Sequence, residues 1–562
     1  MDRNSIVGIL LIFTILIVFS IINKPSKEQV EAARHRQDSI AQVEALREQQ
    51  AEQERQNIVP ALQEEEALTD TIASDRKLQE KVDQFGIFGN AAIGAQDFFT
   101  LENNLMKITF TNKGGKIYSV ELKNYQTHDS LPLILFDGDE SLFGLNFFAQ
   151  NRIINTDQLF FAPAFENKSI VIQGPEVRKG NEGRLKFNED NPGDKESISF
   201  RLEVAPGKFM DYIYTLEYNS FLVEFDINIQ GLNQYIASNQ NYLNFTWGFD
   251  VPRQERPSTF GEDRYTNITY KFFQDDVDNL SQSKSDEENL NTRVKWIGFK
   301  QLFFSSTIIA DEAFQNAFIR SERFEEHPDY LANFYAEISI PYQGSANEQM
   351  NMQFYFGPNH YQTLRQYKID LERQVDLGYA IVRPVNRYLI IPTFNFLRKY
   401  IDNFGIIILL LTIFIKTLLF PFTYKSYISQ AKMRALKPEV DELNKKYGND
   451  KPMEKQQATM ALYKKAGVNP MGGCLPMLLQ FPILIAMFFF FPTSIELRQE
   501  SFLWAHDLST YDSILDLPFS IPFYGDHVSL FVLLMTITTI LSTRLNQQAT
   551  STQGMPGMKT MM

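Results

Sequence analysis

Cysteine is almost absent: Cys474 stands alone in 562 residues. An intrachain disulfide is therefore excluded, even for a domain lying outside the cytoplasm. Histidine is scarce, and His35, His128, His327, His360, His506 and His527 are scattered without metal-ligand spacing. Metal chemistry has little to work with. No Ser/His/Asp constellation, phosphate-cradling glycine loop or internal repeat is visible, so no catalytic residue, metal site or cofactor is assigned and no enzymatic activity is expected. Net positive charge is lacking as well. The balance of -14 argues against nucleic acid as the main partner.

Long apolar runs, by contrast, are present. Residues Ile6 to Ile22 form the first, followed by Asn23-Lys24-Pro25-Ser26 with no A-x-A-like cleavage site. An uncleaved signal anchor over residues 1–23 is expected. The second run, Phe404 to Phe422, is long enough to cross a hydrocarbon core. The third, Gly472 to Ile495, holds Gln480 and is interrupted by Pro476 and Pro482, which bend a helix and free its carbonyls. Trp504 beyond it suits an interface. The fourth, Val528 to Leu541, is short for a full bilayer and fits local thinning or extension into Ser542 and Thr543.

Lys416 lies inside the second run. An ammonium there costs roughly 2.5–3.5 kcal/mol on insertion scales, and such residues usually face a bundle interior or a wet cavity. Snorkelling is the alternative, since Phe422 is only about 9 Å further along a helix. Thr412 and Gln480 are weaker signals, and each alone reads as a helix–helix hydrogen bond. Together with a Pro-bent helix, the three suit one polar groove.

The rest of the chain is too polar to be membrane helices alone, with 22% charged residues. Residues 24–84 are rich in Gln, Glu, Ala and Arg and read as a solvated tether. From Phe85 the character changes. Leu105–Thr111 and Ile117–Leu122 flank Gly114-Gly115 and predict a β-hairpin. Ile198–Val204, Met210–Tyr218, Phe221–Ile229 and Met350–Phe356 predict further strands, so one large all-β sandwich is expected up to about residue 360. Tyr361–Gln374 reads as helical. Residues 376–403, with Pro384 and Pro392, read as an interfacial amphipathic segment, with a plain linker helix as the alternative.

Between Thr423 and Val468 there are ten Lys/Arg against five Asp/Glu. Met433, Leu436, Val440, Leu443 and Tyr447 are spaced 3, 4, 3, 4, and a second helix follows from about Met453 to Lys465, with Met453, Met460 and Tyr463 on one side. The pair predicts a helical hairpin with a basic outer face: Lys432, Arg434, Lys437, Lys445, Lys446, Lys464 and Lys465. The positive-inside rule makes it cytoplasmic, places the β-domain outside and the N-terminus inside. The basic face suits anionic lipid headgroups or ribosomal RNA with a nascent chain, and charge alone does not choose between these or plain solvation.

Several motifs then identify a family. Lys432-Met433-Arg434 with Leu436 and Pro438, Ala461-Leu462-Tyr463-Lys464, Asn469-Pro470-Met471-Gly472-Gly473-Cys474-Leu475-Pro476 continuing to Gln480 and Pro482, Glu496-Leu497-Arg498-Gln499, and Trp504 with His506-Asp507-Leu508-Ser509 all resemble the YidC/Oxa/Alb family of membrane protein insertases, in its Gram-negative YidC form. Trp296–Phe304 and Phe356-Gly357-Pro358 resemble it too. The resemblance implies a polytopic α-helical core over 404–562 with a hydrophilic groove, and a periplasmic β super-sandwich over 85–375 like that of sugar mutarotases. The family's groove cation is typically Arg; the matching residue is Lys416, which lacks Arg's planar fork. The family also continues with two more spans and a polar tail beyond the position of Met562, so a C-terminal truncation is expected. Nascent membrane proteins, the Sec translocon, the ribosome and membrane lipids are the implied partners, at the bacterial inner membrane. A membrane-tethered carbohydrate-binding or sugar-modifying protein and a transporter remain as other readings.

Overall fold

A computed structural model describes residues 79, 81, 83–138, 140–165, 167–172, 194–257, 261–325, 327–448, 451–467, 475–521 and 525–549. The expected anchor, most of the tether and the motif Asn469–Cys474 lie outside the described residues.

Alternating burial builds the β-domain. In the strand Leu222–Gln230, Val223, Phe225, Ile227 and Ile229 are buried while their neighbours are partly exposed, the period-2 signature of a strand with one face in a core. The predicted hairpin forms from Met106–Thr111 and Lys116–Gln126, paired antiparallel. Gly114 and Gly115 carry its turn at φ of 79° and 57°, where a Cβ is disfavoured.

The strands of the β-domain form three sheets rather than the two of a simple sandwich; among the described residues a separate two-stranded sheet pairs Leu515–Ile521 with Gly525–Val528. A nine-stranded sheet is central. Its middle strands are Val294–Lys300, Phe304–Phe314, Asn347–Pro358 and Leu222–Gln230. A six-stranded sheet orders Asp286–Leu290, Asn316–Arg323, Tyr330–Pro341, Tyr242–Pro252, Leu142–Ala149 and Arg152–Asn155. A five-stranded sheet holds the hairpin and Phe98–Glu102. Aromatic rings join them. Trp247 stacks on Phe299 at 4.2 Å between the six- and nine-stranded sheets. Tyr214 of the nine-stranded sheet meets both Phe110 of the five-stranded sheet and Phe143 of the six-stranded one. Both smaller sheets therefore cover one face of the large sheet.

The other face is covered by residues 361–374. The expected single helix is broken there into α1 (Tyr361–Arg365) and a 3-10 turn (Leu371–Gln374). Lys368 and Asp370 take φ of 58° and 61°. The break lets the Ile369 carbonyl accept from the Trp296 indole at 2.9 Å and Tyr367 pack on Tyr355. Tertiary contacts here override helix periodicity.

Next comes a helical run of α2 (Val382–Val385), a π-turn (Asn386–Ile390) and α3 (Ile391–Arg398). Pro392 has no N–H to offer and would clash in a regular turn. The i→i+5 bond from Ile391 to the Asn386 carbonyl inserts the extra residue just before it. Then follow α4 (Phe404–Ala435), α5 (Lys437–Tyr447), α6 (Pro452–Lys465), α7 (Leu475–Thr493) and α8 (Leu530–Ala549). Among the described residues one helical stretch, Phe404–Met433, is long and apolar enough to cross a membrane; Leu478–Thr493 and Leu530–Arg544 are shorter apolar stretches.

Candidate functional site

Helix α4 has two unlike sides. Ile407, Leu411, Ile415 and Leu419, at strict four-residue spacing, are buried. They join a core that includes Phe394 of α3 and Phe490 of α7. Lys416 and Thr412 sit one residue further round and are exposed. They lie one turn apart on one face. Thr412, Thr417 and Thr423 each donate to the carbonyl four residues back, at 2.8–2.9 Å. This satisfies their hydroxyls within an apolar stretch.

Gln480 lies on α7, half-buried, and continues the packed stripe Ile483, Ala486, Phe490. The two helices can be put on one scale. Phe394 contacts Phe404 at 6.0 Å and Phe490 at 5.3 Å, so these rings mark a common level. At ~1.5 Å per residue, Gln480 is ~15 Å from that level, Thr412 ~12 Å and Lys416 ~18 Å. On that scale the three polar residues singled out from sequence fall within ~6 Å of one another along their helices. No hydrogen bond joins Lys416 to Gln480 among the described residues.

The end of this assembly nearest the β-domain is tied down by polar contacts. The Asn386 amide, fully buried, donates to the Leu377 carbonyl at 3.0 Å and the Ala486 carbonyl of α7 at 2.8 Å. Glu496, just past α7, pairs with His360 at 3.3 Å and accepts from Ser494. Burial works to raise its pKa, but these partners hold its carboxyl down at about 2. Arg498 donates from Nε to Glu255 at 2.6 Å and also to the Gln126 carbonyl, and it lies over the Phe304 ring. Burial raises the Glu255 carboxyl despite that partner. Neighbouring Glu262 accepts from the backbone N–H of Gln254 and Glu255; burial, then the Glu255 charge, push it up to about 8. Phe502 closes over the start of α4 at Gly405, where a Cβ would come within 2.1 Å of its ring. Asp512 caps α8, accepting from Leu530 and Phe531 N–H as well as Trp504 and Ser529.

Sequence reasoning gave these clasp residues no role. Their signals are the motifs Glu496-Leu497-Arg498-Gln499 and Trp504 with His506-Asp507-Leu508-Ser509, since a partner 243 residues away leaves no local pattern.

At the other end, α5 and α6 pack together. Met433, Leu436, Val440, Leu443 and Tyr447 are half-buried, as the spacing predicts. Lys432, Lys437, Lys445, Lys446, Lys464 and Lys465 are exposed; the Arg434 side chain lies outside the described residues. On α6 the packed side is Lys455, Ala458, Thr459, Leu462 and Tyr463, while Met453 and Met460 are exposed.

Comparison with known proteins agrees across the chain. The family model for the YidC periplasmic domain matches residues 99–390, and that for the 60Kd inner membrane protein matches residues 396–562. The membrane protein insertase YidC of Parabacteroides distasonis is 45% identical, covering 100% of this chain and 86% of that protein. That of Bacteroides fragilis is 40% identical, covering 100% and 85%. A crystal structure of an active YidC insertase aligns with 17% identity and a TM-score of 0.28, covering 82% of this chain and 84% of that one.

Proposed function

The chain belongs to the YidC family of membrane protein insertases, and from that premise we propose that Lys416, Thr412 and Gln480 line the groove through which it inserts its clients. A nascent hydrophobic segment meets the basic hairpin, Lys432 to Lys465. Its short polar flank enters the groove, drawn by Lys416, while the apolar part moves into lipid. A wet groove shortens the hydrocarbon path the flank crosses, so neither nucleotide nor covalent chemistry is required.

The observation that carries this reading is the cation on the α4 face that its own packing leaves open, with Thr412 one turn away and Gln480 at a similar count along α7 from the shared Phe394 contact. In this reading α4, α7 and α8 span the inner membrane, residues 1–23 anchor the N-terminus from the cytoplasmic side and 24–84 tether the domain. Residues 85–375 are periplasmic, 376–403 lie at the interface, 404–562 form the membrane core, and the hairpin 423–468 is cytoplasmic. Ribosomes, membrane lipids and the Sec translocon are its working partners.

Complementation of an insertase-depleted bacterium tests the groove. Lys416→Arg is expected to support growth, since the charge is kept. Lys416→Ala is expected to slow insertion of clients with acidic flanks by about tenfold, a fraction of the ~4 kcal/mol that two charges ~4 Å apart gain at an effective dielectric of ~20. Normal insertion by Lys416→Ala removes the charge from the mechanism.

A further inference from the structure

The outer face of the six-stranded sheet carries a groove of about 650 Å3 whose chemistry the insertase reading does not use. Apart from the Tyr242 hydroxyl, its polar side chains are all amides: Asn146, Asn151, Asn239, Gln240, Asn241 and Asn244. No charged side chain lines it. Between the amides stand three large side chains turned to solvent, Phe148 at 51%, Tyr242 at 44% and Ile153 at 66% exposure.

Strand pairing sets this arrangement. Asn155, Asn146, Asn244 and Ser339 fall opposite one another on successive strands and form a polar row across the sheet. Phe148 and Ile153 pair in the adjacent row. The polar row is held in place. Ser339 Oγ donates to Asn244 at 3.1 Å, Asn244 donates to Glu337 at 2.6 Å and Asn146 to Thr246 at 2.6 Å. Gln240 Oε1 accepts the Phe148 N–H at 3.0 Å, which leaves its NH2 group without an internal partner among the described residues. Asn151, Asn239 and Asn241 make no side-chain hydrogen bond among the described residues.

We propose that this face is a binding site for a neutral carbohydrate chain. Each amide offers a planar donor–acceptor pair, the geometry that suits adjacent hydroxyls on a pyranose ring. Exposed aromatic faces suit the apolar C–H faces of the same rings. The absence of charge disfavours phosphorylated or acidic ligands and charged peptide segments. The volume falls within the ~300–1,000 Å3 usual for ligand sites. An extended peptide added to a strand edge is the less suited occupant, because the lining here is a sheet face whose polar groups are side chains, not unpaired backbone.

The full chain in phospholipid nanodiscs, free of glycoside detergent, is titrated with maltoheptaose, cellohexaose and tetra-N-acetylchitotetraose and read by saturation-transfer NMR and calorimetry. At least one is expected to bind. Tyr242→Ala and Phe148→Ala are each expected to weaken it tenfold or more, and Asn241→Ala severalfold. Asn241 makes no internal side-chain bond, so its loss separates binding from folding. Circular dichroism of each variant verifies the fold. Three results overturn the proposal: no probe bound at millimolar concentration, binding that all three variants leave unchanged, or an uncharged apolar peptide bound in place of every sugar.

Discussion

Glu262 keeps a proton that an exposed carboxyl would have lost by neutral pH. Its burial and the neighbouring Glu255 charge move its titration from 4.5 in the unfolded chain to about 8. Between those values the folded chain binds a proton that the unfolded chain has released. Stability from this group is therefore complete below about pH 4.5 and is lost as pH rises to about 8. Glu262→Gln keeps an oxygen for the Gln254 and Glu255 N–H groups and removes the titration. The midpoint of thermal unfolding is expected to fall more steeply from pH 5 to pH 8 in the wild type than in this variant. Equal slopes would refute it. Arg498→Met leaves Glu255 buried without its cation, a change that costs about 3–5 kcal/mol for such pairs. Burial raises the Glu255 carboxyl, so the loss is expected to shrink as pH falls and the carboxyl takes up a proton; unfolding at pH 8 and pH 5 measures the difference.

At the scale of elements, the joint between α4 and the segment after α7 rests on a missing side chain. Phe502 occupies the space a Cβ on Gly405 would need. Gly405→Val is expected to displace the ring at a cost of about 1–3 kcal/mol, typical of overpacking. Limited proteolysis between residues 499 and 513 is expected to speed up accordingly. The strands were legible from alternation alone, as Leu222–Gln230 illustrates, and so was the half-buried stripe from Met433 to Tyr447. The break at Lys368 and Asp370 was not, because a distant indole and a tyrosine ring impose it. Of the groove, the sequence marked Lys416, Thr412 and Gln480 as polar residues in apolar runs. What relates their positions on the two helices is the pair of ring contacts that Phe394 makes with Phe404 and Phe490, which no local pattern announces. The Met453 and Met460 side of α6 proved exposed, since a stripe spaced by sevens does not say which side a partner takes.

For the whole molecule, charge is divided by location. The hairpin carries a positive excess within a chain of net -14. The combined Lys445→Ala, Lys446→Ala, Lys464→Ala and Lys465→Ala variant removes four exposed cations from one end and touches no buried contact. Co-sedimentation with ribosomes is expected to weaken at least tenfold and to lose much of its salt dependence, because each lost cation releases fewer counterions. Unchanged binding would assign the excess to lipid or to solvation.

The clasp between Glu255 and Arg498 also has an order in time. Glu255 is translated 243 residues before the arginine that completes its pocket. At ~5–20 residues per second this is a wait of ~12–50 s. Through that interval Glu255 has no Arg498 to pair with. Arg498 follows α7 in the chain, so the salt bridge closes only after α7 has been made, with α8 still to come.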